Sequence, residues 1–334
     1  MNQMLRNMTA TQQVGALFLI VFGILIAISA WNFVALLRER REDEAGQARL
    51  VDLHYFAGLL RSSWFMVIVF WVGWASGEGV ATFLFAMISF FAMREFITLS
   101  PTRRGDHRSL VLAFFVILPI QFWLVGTKHF DLFTVFIPVY VFLAIPVVSA
   151  LANDPERFLE RNAKLQWGIM VCIYGLSHVP ALLLLDFSKV NASYAGKSAF
   201  LVFFLVFVVQ TCMIVQHLAA RRLKRAPHAP NVSQSFNWAS WGIGVAVASF
   251  FGGLLSGITP FKPAQALAMA IIACVAGSMG HLVMKALKRD RGIRNWGKQG
   301  MPGVTGASGL LDRVDALCFA APIFFHSVRW NFGV

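Results

Sequence analysis

Residues 280–315 read GHLVMKALKRDRGIRNWGKQGMPGVTGASGLLDRVD, a strongly basic stretch set between two apolar runs. It holds Lys285, Lys288, Arg289, Arg291, Arg294, Lys298 and Arg313, whereas beyond Asp186 the chain has only three carboxylates, Asp290, Asp312 and Asp315. Charge of this density between two runs able to cross a bilayer marks a loop held at one membrane face. Any acid or metal chemistry in the C-terminal half therefore rests on those three side chains.

The rest of the chain agrees with a bilayer as solvent. Of its 334 residues 57% are hydrophobic and only 13% charged, too apolar a balance for a soluble domain. At about 20 residues per crossing, the apolar runs predict an all-α, polytopic bundle of about ten spans. The first, Val14 to Leu37, is longer than the apolar core of a signal peptide and is expected to be a retained span. The others fall near 63–76, 80–97, 109–126, 130–151, 166–187, 198–219, 238–258, 264–284 and 314–332. The second and third look short and are joined by Gly77-Glu78-Gly79, as in a hairpin. The chain reads as one membrane domain, with an N-terminal half over 1–190 and a C-terminal half over 198–334 that carries the basic segment.

Charge orients these spans. With the N-terminus outside, the loops at 38–61, 94–108, 152–165, 220–237 and 285–313 fall inside and hold 23 of the 29 Lys and Arg residues. The other six, Arg6, Lys128, Lys189, Lys197, Lys262 and Arg329, lie outside. That asymmetry is the positive-inside rule obeyed at every turn. The formal charge of +13 therefore reports topology and contact with anionic membrane lipid. Nucleic acid is not an expected partner, because the basic loops lack interleaved aromatics on which bases could stack.

Several familiar chemistries are absent. Cys172, Cys212, Cys274 and Cys318 fall within spans and form no CxxC pair, which argues against a disulfide framework or a zinc site. No GxGxxG, P-loop or HExxH motif occurs. Charges within spans are scarce, which disfavours a transporter or proton path. His178, in YGLSHVP, is the exception, and is expected to bond a neighbouring helix carbonyl beside a kink at Pro180. Gly73 with Gly77, Gly253 with Gly257, and Gly242 with Gly244 read as close helix packing. The tryptophans and many of the 32 phenylalanines read as lipid contacts and interface belts, and RERREDE at 38–44 as the solvated end of the first helix.

Lys288-Arg289 with the four residues after it, Pro302-Gly303, and Asp312-Arg313-Val314-Asp315 stand in the order of one known signature. They resemble the phosphatidate cytidylyltransferase (CDP-diacylglycerol synthase) family, whose pattern runs S-x-x-K-R-x4-K-D, a Pro-Gly-His-Gly-Gly turn, then D-R-x-D. Pro230-Asn231-Val232-Ser233 followed by Trp238 is similar to the family's P-x-V-S-P-x-K-T-W loop. REFITL at 94–99 and PTRRGDHR at 101–108 are similar to the N-terminal half of one bacterial branch, so the resemblance covers most of the chain.

The resemblance implies a bacterial cytoplasmic-membrane enzyme of phospholipid synthesis that joins CTP to phosphatidate, releases diphosphate, uses Mg²⁺ and works as a homodimer. Carried over by motif, Lys288, Arg289, Arg313, Asp312 and Asp315 would be catalytic, with Asp312 and Asp315 as metal carboxylates three positions apart on one helix face. Ser233, Lys285 and His281 would bind substrate. Without the motif, Asp312 and Asp315 would read as acidic residues favoured near a helix N-terminus.

The departures fall on the chemistry. His281 stands where the family has an aspartate, Met213 stands at a second such position, and Phe236, with Gln234 and Asn237 beside it, replaces the loop lysine. Arg294-Asn295 replaces Lys-Asp, Ala307-Ser308-Gly309 replaces His-Gly-Gly, Lys285 replaces the signature serine, and the segment from Asn295 to Asp312 is four residues longer. Neither Met213 nor His281 offers Mg²⁺ the hard oxygen it prefers, whereas Lys285 or His281 could replace a lost metal's charge. Two readings stay open: a cytidylyltransferase, or a relative without activity that binds lipid phosphate or a partner lipid enzyme.

The topology is testable with single added cysteines, since the native four lie within spans. In intact cells a membrane-impermeant maleimide is expected to label Lys128→Cys and to leave Lys224→Cys unlabelled until the membrane is opened. The reverse pattern would invert the orientation.

Overall fold

A computed structural model of the chain describes residues 10–38, 44–100, 102–187, 194, 197–293 and 309–333. Its helices are α1 (Ala10–Arg38), α2 (Glu44–Ser76), α3 (Glu78–Thr98), α4 (Arg104–Gly126), α5 (Phe130–Ala150), α6 (Phe158–Leu183), α7 (Ala199–Leu223), α8 (Trp238–Ile258), α9 (Pro263–Asp290) and α10 (Leu311–Phe332). No strand forms among the described residues. Helices α1 to α9 are each long and apolar enough to cross a membrane, and α10, 22 residues long, joins them in the bundle.

Helices are the expected outcome for an apolar chain, because hydrocarbon offers no partner to a free peptide group. Three of them depart from the α repeat in π-helical segments, Ala113–Ile117 in α4, Phe136–Val141 in α5 and Ile169–Gly175 in α6. Pro119, Pro138 and Pro180 lie within or just after these segments, and a proline that removes a backbone donor is a recognised cause of such distortion. Gly77, at φ +88°, ends α2, and α3 begins at the next residue, so the expected hairpin is a one-residue corner.

α10 packs against α9, α6, α7, α2 and α3, and its Leu311, Val314, Asp315, Leu317, Phe324 and Phe325 are buried. Without a hydrophobic drive between helices in lipid, such contacts depend on close fit. Two glycines provide it: a Cβ on Gly175 would run into the backbone carbonyl of Cys318, and one on Gly280 into the Phe319 ring. Gly73 likewise lies against Ala81 and Gly244 against Cys212, but Gly242, Gly253 and Gly257 face open space and meet no neighbouring helix among the described residues. The phenylalanines divide between roles, Phe83 and Phe115 outward, Phe96, Phe133, Phe324 and Phe325 in the core.

The second span differs from expectation. It is the 33-residue helix α2, and residues 44–61, expected in a cytosolic loop, form its first turns. Leu53, Phe56, Leu59 and Leu60 recur at helical spacing and are buried, and Asp52 bonds Arg221 Nε at 2.5 Å, so a tertiary partner makes the charge compatible with the helix. α6 likewise starts at Phe158, inside an expected loop, where buried Arg161 bonds Asp106 Oδ1 at 2.8 Å and Asp154 Oδ2 at 2.8 Å. Asp106 belongs to the 101–108 block, whose role here is to anchor α6 to α4. His178 Nδ1 bonds the Tyr174 carbonyl oxygen of its own helix at 2.6 Å, not that of a neighbour. Residues 39–43 of the first basic cluster lie outside the described residues.

Replacing Gly175 with alanine forces α6 away from α10 or bends one of them. The expected cost is about 1–3 kcal/mol. A lowered thermal midpoint of the purified protein in detergent is the readout, and an unchanged midpoint would show that the α6–α10 contact is loose.

Candidate functional site

The basic segment begins as the last turns of α9. On a helix His281, Lys285, Lys288 and Arg289 recur on one side, and α10 passes antiparallel beside it. Two bonds join the helices there. Lys288 Nζ donates to Asp312 Oδ1 at 2.6 Å, and His281 Nδ1 meets Asp315 Oδ2 at 2.8 Å. The Asp315 side chain is 4% exposed and also accepts from the Ala316 N–H at 2.7 Å, whereas the Asp312 side chain is 23% exposed. Buried charge is tolerated only when paired and hydrogen-bonded, and the Asp315 and Lys288 pairs satisfy that condition.

A third helix completes the cluster. Lys285 Nζ donates to the Tyr55 hydroxyl at 2.7 Å, and that oxygen lies 3.4 Å from His281 Nε2. Tyr55 sits on α2 one turn after Asp52, whose carboxylate reaches His217 Nε2 at 3.2 Å and Arg221 on α7. His217 is buried, stacks on the Phe56 ring, and its Nδ1 has no hydrogen-bond partner among the described residues. Tyr55, His217, His281, Lys285, Ser233 and Ser235 thus share the wall of one small polar cavity of about 20 Å³, roughly a water's space. Met213 and Phe236 line it too.

The loop before α8 supplies Ser233 by folding on itself. Ser233 and Val232 donate backbone N–H groups to the Ala229 carbonyl at 2.8 and 3.0 Å, and His228 donates to the Phe236 carbonyl at 2.8 Å. Asn237 then caps α8, its Oδ1 accepting from the Ser240 N–H at 2.8 Å.

Of the residues expected from sequence, the fold gathers His281, Lys285, Ser233, Lys288, Asp312 and Asp315. Two stand apart. Arg289 is exposed and makes none of these bonds, and the Arg313 guanidinium lies over the Phe65 ring of α2, 5.4 Å from its centre. Arg294, Asn295, Lys298, Pro302-Gly303 and Ala307-Ser308 lie outside the described residues. Asp52, Tyr55 and His217 escape the sequence reading. Their signal is helical spacing: Asp52, Tyr55, Phe56 and Leu59 form one stripe, and Gln210, Met213 and His217 another.

Glu95 also escapes it, although REFITL is a motif of the sequence. Its carboxylate, 1% exposed, accepts backbone N–H groups of Gly309 at 2.9 Å, Leu310 at 2.9 Å and Leu311 at 3.2 Å. The free donors at the start of α10 are thereby satisfied by a side chain from α3. Glu95 is the positioning residue for Asp312 and Asp315.

Asp312 and Asp315 are the expected metal carboxylates. Mg²⁺ demands octahedral oxygen ligation. Here the lysine ammonium caps one carboxylate and the imidazole the other, and no three His, Cys, Asp or Glu among the described residues cluster as ligands. In this arrangement the pair does not fit a metal cage. What the cluster offers is fixed cationic and hydroxyl donors, the equipment for holding phosphate oxygens.

A sequence model described as the cytidylyltransferase family matches residues 59–330. The uncharacterized protein YnbB of Escherichia coli (strain K12) is 32% identical over 274 residues, 81% of this chain and 86% of that protein.

Glu95→Ala leaves the three N–H groups at the α10 start without an acceptor. The expected loss is roughly 2–4 kcal/mol. Glu95→Gln, which keeps one acceptor oxygen, is expected to lose less, and equal thermal midpoints for both variants and the parent would remove the clasp from the account.

Proposed function

The chain belongs to the cytidylyltransferase family, and on that premise we propose that it acts on CTP and phosphatidate at the cytosolic face of a membrane. In that reaction a phosphatidate oxygen attacks the α-phosphorus of CTP. A new P–O bond forms, the bond to the β-phosphate breaks, and diphosphate leaves. The observation that carries the reading is the joint presence of Lys285, His281, His217 and the Tyr55 hydroxyl around one polar cavity, with Lys288 bonded to Asp312 of the family motif one turn further along α9.

The chemistry needs such groups. Two polyanions meet, and charge grows on the leaving diphosphate. Preorganised cations in a site shielded from water stabilise that charge more than they stabilise separated reactants. Lys285 and His281 would take the phosphate of the lipid, displacing the bond from Lys285 to Tyr55, while Asp312 aims Lys288 at the nucleotide's phosphates. Metal would supply further charge only if it arrived with the nucleotide. No step here depends on one.

A second reading is favoured by a specific observation: both acidic residues of the motif are already bonded, Asp312 to Lys288 and Asp315 to His281. A protein in that state can hold lipid phosphate without transferring anything to it. The two readings diverge in one assay. Purified protein is given radiolabelled CTP and phosphatidate across a series of Mg²⁺ concentrations. The enzyme reading expects labelled lipid from the parent, reduced about 10²–10³-fold in Lys288→Ala and in Asp312→Ala. No labelled lipid from folded parent that still binds phosphatidate would leave the binding reading standing.

A further inference from the structure

Between α1, α2 and α7 lies a cavity of about 370 Å³ whose wall is almost wholly hydrocarbon. Leu25 from α1, Val67 from α2, Phe203 and Ile214 from α7 and Phe251 from α8 line it. Of its three polar wall residues, Ser63, Gln210 and Thr211, two bond each other: the Ser63 hydroxyl donates to Gln210 Oε1 at 2.9 Å, and Gln210 Nε2 reaches the Met66 sulfur at 3.0 Å. Nothing charged or polar is asked of an occupant. Its size lies within the range of small-molecule pockets, about 300–1,000 Å³. On the α1 side the wall is thin, since Leu25 and Asn32 are the only buried side chains described on that helix.

What identifies the occupant is the position of this cavity next to the polar one. On α7, Gln210 and Ile214 line the apolar space while Met213 and His217 line the polar one, so the two meet within two helical turns, about 10 Å. On α2, Ser63 and Val67 line the first and Tyr55 the second. Tyr55 and Met213 of the polar wall pack in one cluster with Leu25 and Ile214 of the apolar wall, together with Phe56, Leu59 and Leu60. A cationic head site at the cytosolic end of helices whose membrane-embedded length encloses an apolar slot has the shape of a phospholipid.

We propose that this cavity receives a fatty-acyl chain of the lipid whose phosphate sits at Lys285 and His281. The inference rests on the lipid-phosphate reading of the polar cavity and adds a chain-length requirement that the headgroup alone would not impose. Each methylene moved from water into the slot strengthens binding, so several together give at least about tenfold.

The experiment compares two phosphatidates with one headgroup, bearing either long membrane-type chains or short water-soluble ones, bound to the full-length protein in detergent. The parent is expected to bind the long-chain lipid at least about tenfold more tightly. Val67→Trp and Ile214→Trp, which fill the slot from opposite walls, are expected to abolish that preference and leave short-chain binding as in the parent. Intact short-chain binding is also the sign that each variant is folded. Equal affinity of the parent for the two lipids overturns the slot while the headgroup reading stands. Trp variants that keep the parent's preference overturn it also. Failure of the parent to bind either lipid overturns the headgroup reading, and the slot with it. A parent dimer that both Trp variants convert to monomer would assign the cavity to a second copy of the chain instead.

Discussion

A carboxylate removed from water must be bonded from several directions, and Glu95 meets that requirement with the backbone of another helix. Its oxygens accept the N–H groups of Gly309, Leu310 and Leu311, which have no acceptor within α10. This one group joins the third span to the last and fixes where α10 begins. The start of α10 in turn sets the height at which Asp312 meets Lys288 and Asp315 meets His281. If α10 slid by a turn, both acids would be left unpaired in a low-dielectric setting, a cost of several kcal/mol for each.

Opposite charges settle along predictable sides of the bundle. Lys128 bonds Glu78 at 3.2 Å and Arg329 bonds Asp131 at 3.0 Å, all four at helix ends that the charge count assigns to the outside. Arg161 with Asp106, and Arg221 with Asp52, do the same at the opposite end. Each pair joins residues on one side of the predicted membrane. The polar cavity, lined by His217 one turn before Arg221, lies at that second end.

The spans were legible in the sequence because hydrocarbon thickness sets the length of each apolar run. The beginning of α2 was not. Asp52 and Arg61 resemble loop residues until a partner such as Arg221 is known, and partners are tertiary facts. The same limit explains the site. His281, Lys285, Lys288, Asp312 and Asp315 sit in one motif and could be read together, whereas Tyr55, His217 and Glu95 are supplied from more than sixty residues away, and neither helical spacing nor the REFITL block ties them to that motif. Glycine spacing misled at Gly242, Gly253 and Gly257, which were expected to pack but have no close neighbour among the described residues, while Gly175, outside any such pattern, makes one of the closest approaches.

The three π-helical segments carry a further meaning. Each is an α-helix with one residue too many, accommodated by a widened turn instead of a broken helix. Deleting that residue restores the regular repeat and leaves both helix ends where their loops need them. α4, α5 and α6 are therefore the places where the chain can change length by a single residue in the middle of a membrane, and α6 does so directly opposite α10.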